Sequence, residues 1–214
     1  MNNDKRCTTI LLTNTRIFED AALFHYYLSK VNEERRCDVK NRRFAEDRLL
    51  SLGGGLLLDQ LLADWNINSE IVHNEQGKPL VYLYPNVYVS LTHAYPYAAA
   101  MISHAPCGLD IEGRDRNLEA VARRYYNEQE KGYAGNDQNR ITDIWCRKEC
   151  FIKCCGPQDV RQIDTFSIPA DYEYISLPLQ GYSFEILKKK GAYLFREICF
   201  PAKPSVLTHL LSAK

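Results

Sequence analysis

Apolar residues recur along this chain in two rhythms, and the places where one gives way to the other outline its elements. From Glu33 to Leu62 the leucines fall at helical spacing, with Leu49, Leu50, Leu52, Leu56, Leu57, Leu61 and Leu62 forming one stripe. That stripe predicts a long helix, preceded by a shorter one over Glu19–Lys30. Gly53-Gly54-Gly55 interrupts it, and each glycine in a helix interior costs about 1 kcal/mol relative to alanine. Close packing against another element would account for the three glycines. A phosphate loop would not, since no Lys-Ser/Thr follows them. After Gly77-Lys78-Pro79 the apolar runs shorten, predicting strands at Leu80–Tyr84, Val87–Leu91 and Ala98–Ser103, with turns at Pro85-Asn86 and Tyr95-Pro96.

A strand around Asp110 opens the second half. Helices near Leu118–Tyr126 and Ile141–Cys155 follow, then strands near Tyr172–Leu177, Tyr182–Leu187 and Ala192–Phe200, with Gly181 and Gly191 at the turns. Helices followed by strands, twice over, read as an α+β duplication with no visible sequence repeat. The halves divide as residues 1–104 and 105–214. Met1–Thr15 is polar and mixed, and its one apolar triplet, Ile10-Leu11-Leu12, is too short for the hydrophobic region of a signal peptide.

Composition excludes more than it assigns. With 45% hydrophobic residues in 214, the chain can bury a substantial core. Its 27 basic and 27 acidic residues cancel, which argues against a nonspecific nucleic-acid binder while leaving room for a local basic cluster. No stretch approaches the roughly 20 apolar residues of a membrane span. The expectation is therefore a cytoplasmic protein whose eight cysteines stay reduced. Cys146, Cys150 and Cys154 recur every four residues, yet one helix face cannot wrap three sulfurs tetrahedrally around zinc, so they read as small buried hydrophobes.

The candidate chemistry begins at Gly108-Leu109-Asp110-Ile111-Glu112. On a strand, Asp110 and Glu112 project from one face while Leu109 and Ile111 point into a core. Two such carboxylates are either solvated at a strand end or neutralised by a hard divalent cation such as Mg²⁺. In the helix over Ile141–Cys155, Glu149 and Lys153 lie one turn apart, and Lys148 sits about 100° round the cylinder. These three form a surface salt-bridge set or part of a site, with Trp145 favouring a docked helix. His93, after the strand Val87–Leu91, either serves the turn or donates to a phosphate, and Lys78 stands in a Gly-Lys-Pro turn at the surface.

In their order and spacing, five segments resemble the motifs of the 4′-phosphopantetheinyl transferase superfamily, in its larger, surfactin-synthetase-activating type. They are Gly77-Lys78-Pro79, Ser90-Leu91-Thr92-His93, Gly108-Leu109-Asp110-Ile111-Glu112, Tyr125-Tyr126-Asn127-Glu128-Gln129-Glu130 and the run from Trp145 to Lys153. The resemblance covers roughly Glu33 to Gly156, and more weakly the strands beyond. It implies an α+β monomer of two similar halves related by a pseudo-twofold axis, with coenzyme A in the cleft between them. It further implies a holo-carrier-protein synthase of fatty acid, polyketide or nonribosomal peptide biosynthesis. Such an enzyme moves 4′-phosphopantetheine from coenzyme A to a serine hydroxyl of an apo acyl or peptidyl carrier protein and releases adenosine 3′,5′-bisphosphate.

By that resemblance Asp110, Glu112 and Glu149 hold Mg²⁺, or Mn²⁺, against the pyrophosphate. Glu149 is also the general base for the carrier serine. Lys148 and Lys153 neutralise the diphosphate, and Lys153 stabilises or protonates the departing group. Lys78 and His93 contact the 3′-phosphate, and Glu130, with Glu128 as the alternative, orders a metal-bound water. Two positions depart from the pattern. Ala94 replaces the serine that usually follows the histidine, and Leu50 stands where many relatives carry an arginine whose charge Arg43 or Arg48 would supply. The rival readings are another Mg²⁺-dependent enzyme acting on a phosphate ester, and a catalytically silent relative that binds a carrier or coenzyme A.

Overall fold

A computed structural model of the protein describes residues 8–156, 159–190 and 194–197, the last four by their backbone alone. In chain order its elements are β1 (Thr8–Asn14), α1 (Ala21–Leu28), α2 (Glu33–Asn41), α3 (Ala45–Asp64), β2 (Ile71–His73), β3 (Pro79–Val81), β4 (Tyr88–Ala94), β5 (Tyr97–Ser103), β6 (Gly108–Gly113), α4 (Glu119–Tyr125), α5 (Glu128–Ala134), α6 (Gln138–Cys155), β7 (Tyr172–Ser176), β8 (Tyr182–Lys189) and β9 (Leu194–Glu197). Short 3₁₀ turns occupy Thr15–Glu19 and Val160–Gln162. Helices and largely antiparallel sheets give the α+β class expected from element order.

One sheet has six strands in the order β2-β3-β4-β5-β1-β9, and the other has three, β6-β8-β7. Around β5 the pairing is antiparallel, with Tyr97 opposite both Ala94 and Asn14, and β9 lies parallel to β1. The apolar triplet near the start of the chain is thus the middle of the larger sheet, an element that the sequence reading did not assign. Its run of Ile10-Leu11-Leu12 does not alternate because both faces of β1 are covered. Leu11 meets α3 in company with Ala98, Ala100 and Ile102, whereas Ile10 and Leu12 meet the second sheet in company with Ala99 and Met101.

The helix expected over Glu33–Leu62 is two helices. Arg42 and Phe44 adopt extended backbone between α2 and α3, and Arg48 Nε donates to Arg42 O across the break at 2.9 Å. The glycine triplet of α3 is explained by contact. A β-carbon at Gly53 would lie 2.7 Å from Thr15 Cγ2, one at Gly54 3.1 Å from Leu91, and one at Gly55 2.9 Å from Arg35. β3 is shorter than expected, since the chain leaves it after Val81 and turns through Leu83 at φ 61°. Of the strand expected over Ala192–Phe200, only the stretch of β9 falls inside the described residues.

The two sheets meet where β6 runs beside β4. Their junction is made by side chains: Leu109 N donates to Ser90 Oγ and Ile111 N to Thr92 Oγ1, each at 3.2 Å. Alternate hydroxyls on one strand thereby satisfy alternate amides on the edge of the other sheet. On its opposite face β6 lies against α6, backbone to backbone, because a β-carbon at Gly108 would fall 2.0 Å from Cys150 O. Cys146 and Cys150 pack on β8, their thiols donating to Ser183 O and Glu185 O, and burial pushes both pKa values well up. Both thiols are packed in the interior.

Candidate active site

β6 divides its residues between two environments. Leu109 and Ile111 are buried in the core between the sheets, while Asp110 and Glu112 rise on the face that α6 covers. Asp110 is only 5% exposed. Its Oδ1 accepts from Lys153 Nζ at 2.6 Å and from Thr92 Oγ1 at 2.9 Å, and the same ammonium donates to Leu109 O at 3.1 Å. Oδ2 is buried and has no hydrogen-bond partner.

Glu149 stands one turn before Lys153 on α6 and is half-buried. Burial pushes its carboxyl above the ordinary value, the negative charge of Asp110 adds to that, Lys153 opposes it, and Glu112 adds again. An acid on the helix and two on the strand therefore share one field. Burial alone would lower the Lys153 ammonium, but Asp110 outweighs it and holds the lysine above its ordinary value. Glu112 turns to Arg116, at 2.5 Å.

Among the described residues, no three histidine, cysteine or acidic side chains already stand close enough together to hold a metal ion. The chemistry of Asp110, Glu112 and Glu149 nevertheless suits one. All their donors are oxygen, their charges raise the proton affinity of Glu149, and one buried carboxylate oxygen lacks a donor. A hard divalent cation answers each of these conditions.

A basic pocket opens on the other face of β4, lined by Arg35, Arg42, Asp47, Leu50, Ser51, Leu91 and His93. Arg35 runs over Gly55, which leaves room for its stem. His93 is exposed beside this pocket; the loss of part of its water lowers its pKa, and Lys153 lowers it further. Lys78 Nζ donates to Cys154 O at 3.5 Å, which sets it against the last turn of α6 beside Lys153.

The sequence model of the 4′-phosphopantetheinyl transferase superfamily matches residues 106–194, the stretch that runs from β6 through α6 to β8. The 4′-phosphopantetheinyl transferase gsp of Aneurinibacillus migulanus is 28% identical over 158 residues, covering 70% of this chain and 66% of that protein. The 4′-phosphopantetheinyl transferase ffp of Bacillus subtilis is 26% identical over 152 residues, covering 66% of this chain and 67% of that one. Over these stretches the chain is similar to 4′-phosphopantetheinyl transferases. It spans about two thirds of the length of these curated relatives. Among the described residues no helix is long and apolar enough to cross a membrane.

Of the residues expected to serve a transferase of this family, Asp110, Glu112, Glu149 and Lys153 are gathered at the contact of β6 with α6, and His93 lies in the field of Lys153. Lys148 and Glu130 are placed elsewhere. Both are fully buried and form an ion pair of 2.8 Å, and Lys148 also donates to Val160 O at 3.3 Å and to Ile163 O at 2.5 Å. Glu130 completes a capping box with Asn127 at the start of α5 and accepts from Thr165 N and Oγ1. Sealed in this way, Lys148 has no free donor for a diphosphate and Glu130 no free oxygen for a metal-bound water. Glu128, the alternative, points to solvent and pairs with Lys131. The arginines also differ from expectation. Arg43 lies over the Phe44 ring and Arg48 bonds to Arg42 O, while Arg35 and Arg42 line the pocket. Their shared destination depends on the break between α2 and α3, which no Gly or Pro marks in the sequence.

Proposed function

We infer that the protein is a holo-carrier-protein synthase: it transfers the 4′-phosphopantetheine arm of coenzyme A to a serine hydroxyl of an apo acyl or peptidyl carrier protein and releases adenosine 3′,5′-bisphosphate. The observation that carries this reading is the unpaired, buried Oδ2 of Asp110 beside a helix that presents Glu149 and Lys153. Coenzyme A occupies the cleft between the halves 1–104 and 105–214, with its phosphorylated adenosine end toward Arg35, Arg42, His93 and Lys78 and its diphosphate toward Lys153. A Mg²⁺ or Mn²⁺ ion held by Asp110, Glu112 and Glu149 supplies positive charge at the phosphate oxygens. Glu149 receives the serine proton. Lys153 neutralises charge on the departing bisphosphate. The protein acts as a monomer in this reading.

The test is to mix the protein with coenzyme A, Mg²⁺ and an apo carrier protein and to weigh the carrier by mass spectrometry. A gain equal to the phosphopantetheine arm is expected, and no gain with several unrelated apo carriers overturns the assignment. Coenzyme A breakdown without a carrier would mark a phosphate-ester hydrolase. Coenzyme A binding that Glu149→Gln leaves unchanged, with no turnover in either form, would mark a silent relative.

A further inference from the structure

We propose that Thr92 is the positioning residue for Asp110: its hydroxyl, aimed by an amide of β6, holds Oδ1 beside Lys153 and so keeps Oδ2 as the oxygen left without a donor. The proposal rests on the transferase reading above. A threonine hydroxyl has one proton to give and two lone pairs to receive. In this structure Thr92 Oγ1 receives from Ile111 N at 3.2 Å and gives to Asp110 Oδ1 at 2.9 Å. The incoming amide occupies a lone pair and leaves the proton to point at the carboxylate. Thr92 is buried, and its branched β-carbon allows few rotamers, so the hydroxyl has little freedom to swing away.

Oδ1 then has two donors, Thr92 and Lys153, while Oδ2 has none. A lysine alone would not fix this division, because an ammonium on a flexible stem can serve either oxygen of a rotating carboxylate. The threonine, anchored to the next strand by a backbone amide, breaks the equivalence of the two oxygens. Its position on β4 gives it a second consequence. Thr92 faces β6 and its neighbour His93 faces the basic pocket, so one strand links the place of the acid to the place of the proposed nucleotide phosphate.

The test uses the full chain and its Thr92→Val and Thr92→Ser variants, titrated with Mn²⁺ in the presence of coenzyme A and followed by electron paramagnetic resonance of the free ion. Thermal melting and carrier transfer are measured in parallel. Thr92→Val is expected to fold, to weaken Mn²⁺ binding by about 10- to 100-fold, and to raise the metal concentration needed for half-maximal transfer more than it lowers kcat. Thr92→Ser, which keeps the hydroxyl, is expected to bind close to wild type. In an Asp110→Asn background Thr92→Val is expected to add no further loss, because the threonine acts through that carboxylate. Equal Mn²⁺ affinity in Thr92→Val and wild type overturns the proposal, as does a serine variant as weak as the valine one or a further loss in the asparagine background. If the valine variant does not fold, Thr92→Cys, with only a weak donor in place of the hydroxyl, is read against the same outcomes. A wild-type protein that binds no Mn²⁺ with coenzyme A and modifies no carrier overturns the transferase reading and the role of Thr92 with it. A wild type that does both while Thr92→Val binds as tightly overturns the role of Thr92 alone.

Discussion

α6 carries two lysines, each paired with an acid, and the two pairs are finished to different degrees. Lys148 and Glu130 are 2.8 Å apart and both 0% exposed, and Asn127 and Thr165 also donate to the glutamate. Lys153 and Asp110 are 2.6 Å apart with side chains 27% and 7% exposed, and one aspartate oxygen has no donor. The desolvation of a buried pair is large, so the first arrangement is tolerable only because its hydrogen bonds are complete. The second keeps an unmet demand for positive charge at a partly open surface. From side-chain type alone the two lysines looked equivalent. Completeness of pairing separates the one that holds the helix from the one proposed to meet a ligand.

The sharpest test of that contrast is Glu149→Gln, which removes the proposed base next to the incomplete pair. Transfer is expected to fall by about 10²- to 10⁴-fold, measured as carrier mass gained per unit time. The melting temperature is expected to hold or rise, since Glu149 sits among like charges. Breaking the sealed pair should act on stability instead. Lys148→Met strands the buried Glu130 carboxylate and is expected to cost about 3–5 kcal/mol in urea unfolding. Added Mg²⁺ should not restore it. Lys153→Met is expected to cost less, about 1–3 kcal/mol, and here Mg²⁺ should recover much of the loss in a thermal melt. Recovery of both variants, or of neither, would erase the distinction between the pairs.

The smallest effect concerns pH. The folded-state pKa of Glu149 is raised, so the folded ligand-free protein keeps this proton at pH values where the unfolded chain has released it. Its contribution to stability is fully present below the ordinary carboxylate value and is lost as pH rises through the raised one. Urea midpoints across the mildly acidic range should therefore show a component that falls with rising pH in the wild type and vanishes in Glu149→Gln. Mg²⁺ should flatten it by displacing the proton.

The alternation of acid and apolar residues in β6, and the one-turn spacing of Glu149 and Lys153, were legible in the sequence because periodicity alone fixes which side chains share a face. The long-range facts were not. Ile10-Leu11-Leu12 does not look like a central strand until β5 and β9 flank it. The break between α2 and α3 lies before the leucine stripe with no Gly or Pro to mark it, so Arg35 and Arg42 could not be told from Arg43 and Arg48. Lys148 and Lys153 are identical letters, and only the partners reaching them from α5 and β6 distinguish their work. One missed element did have a local signal. Asn127, followed three residues later by Glu130, is a helix-capping pair, and α5 begins there.

Gly108 sets how deep α6 can sit. Because Gly108 has only hydrogen where a side chain would begin, the helix backbone at Cys150 settles directly onto the strand, and the height of the neighbouring side chains on that helix is measured from this point. A single added methyl group would act as a shim, lifting Glu149 and Lys153 together away from Asp110 while leaving each of the three residues chemically intact. The alignment of the two elements is thus governed by an atom that is missing, at a position that takes part in none of the chemistry.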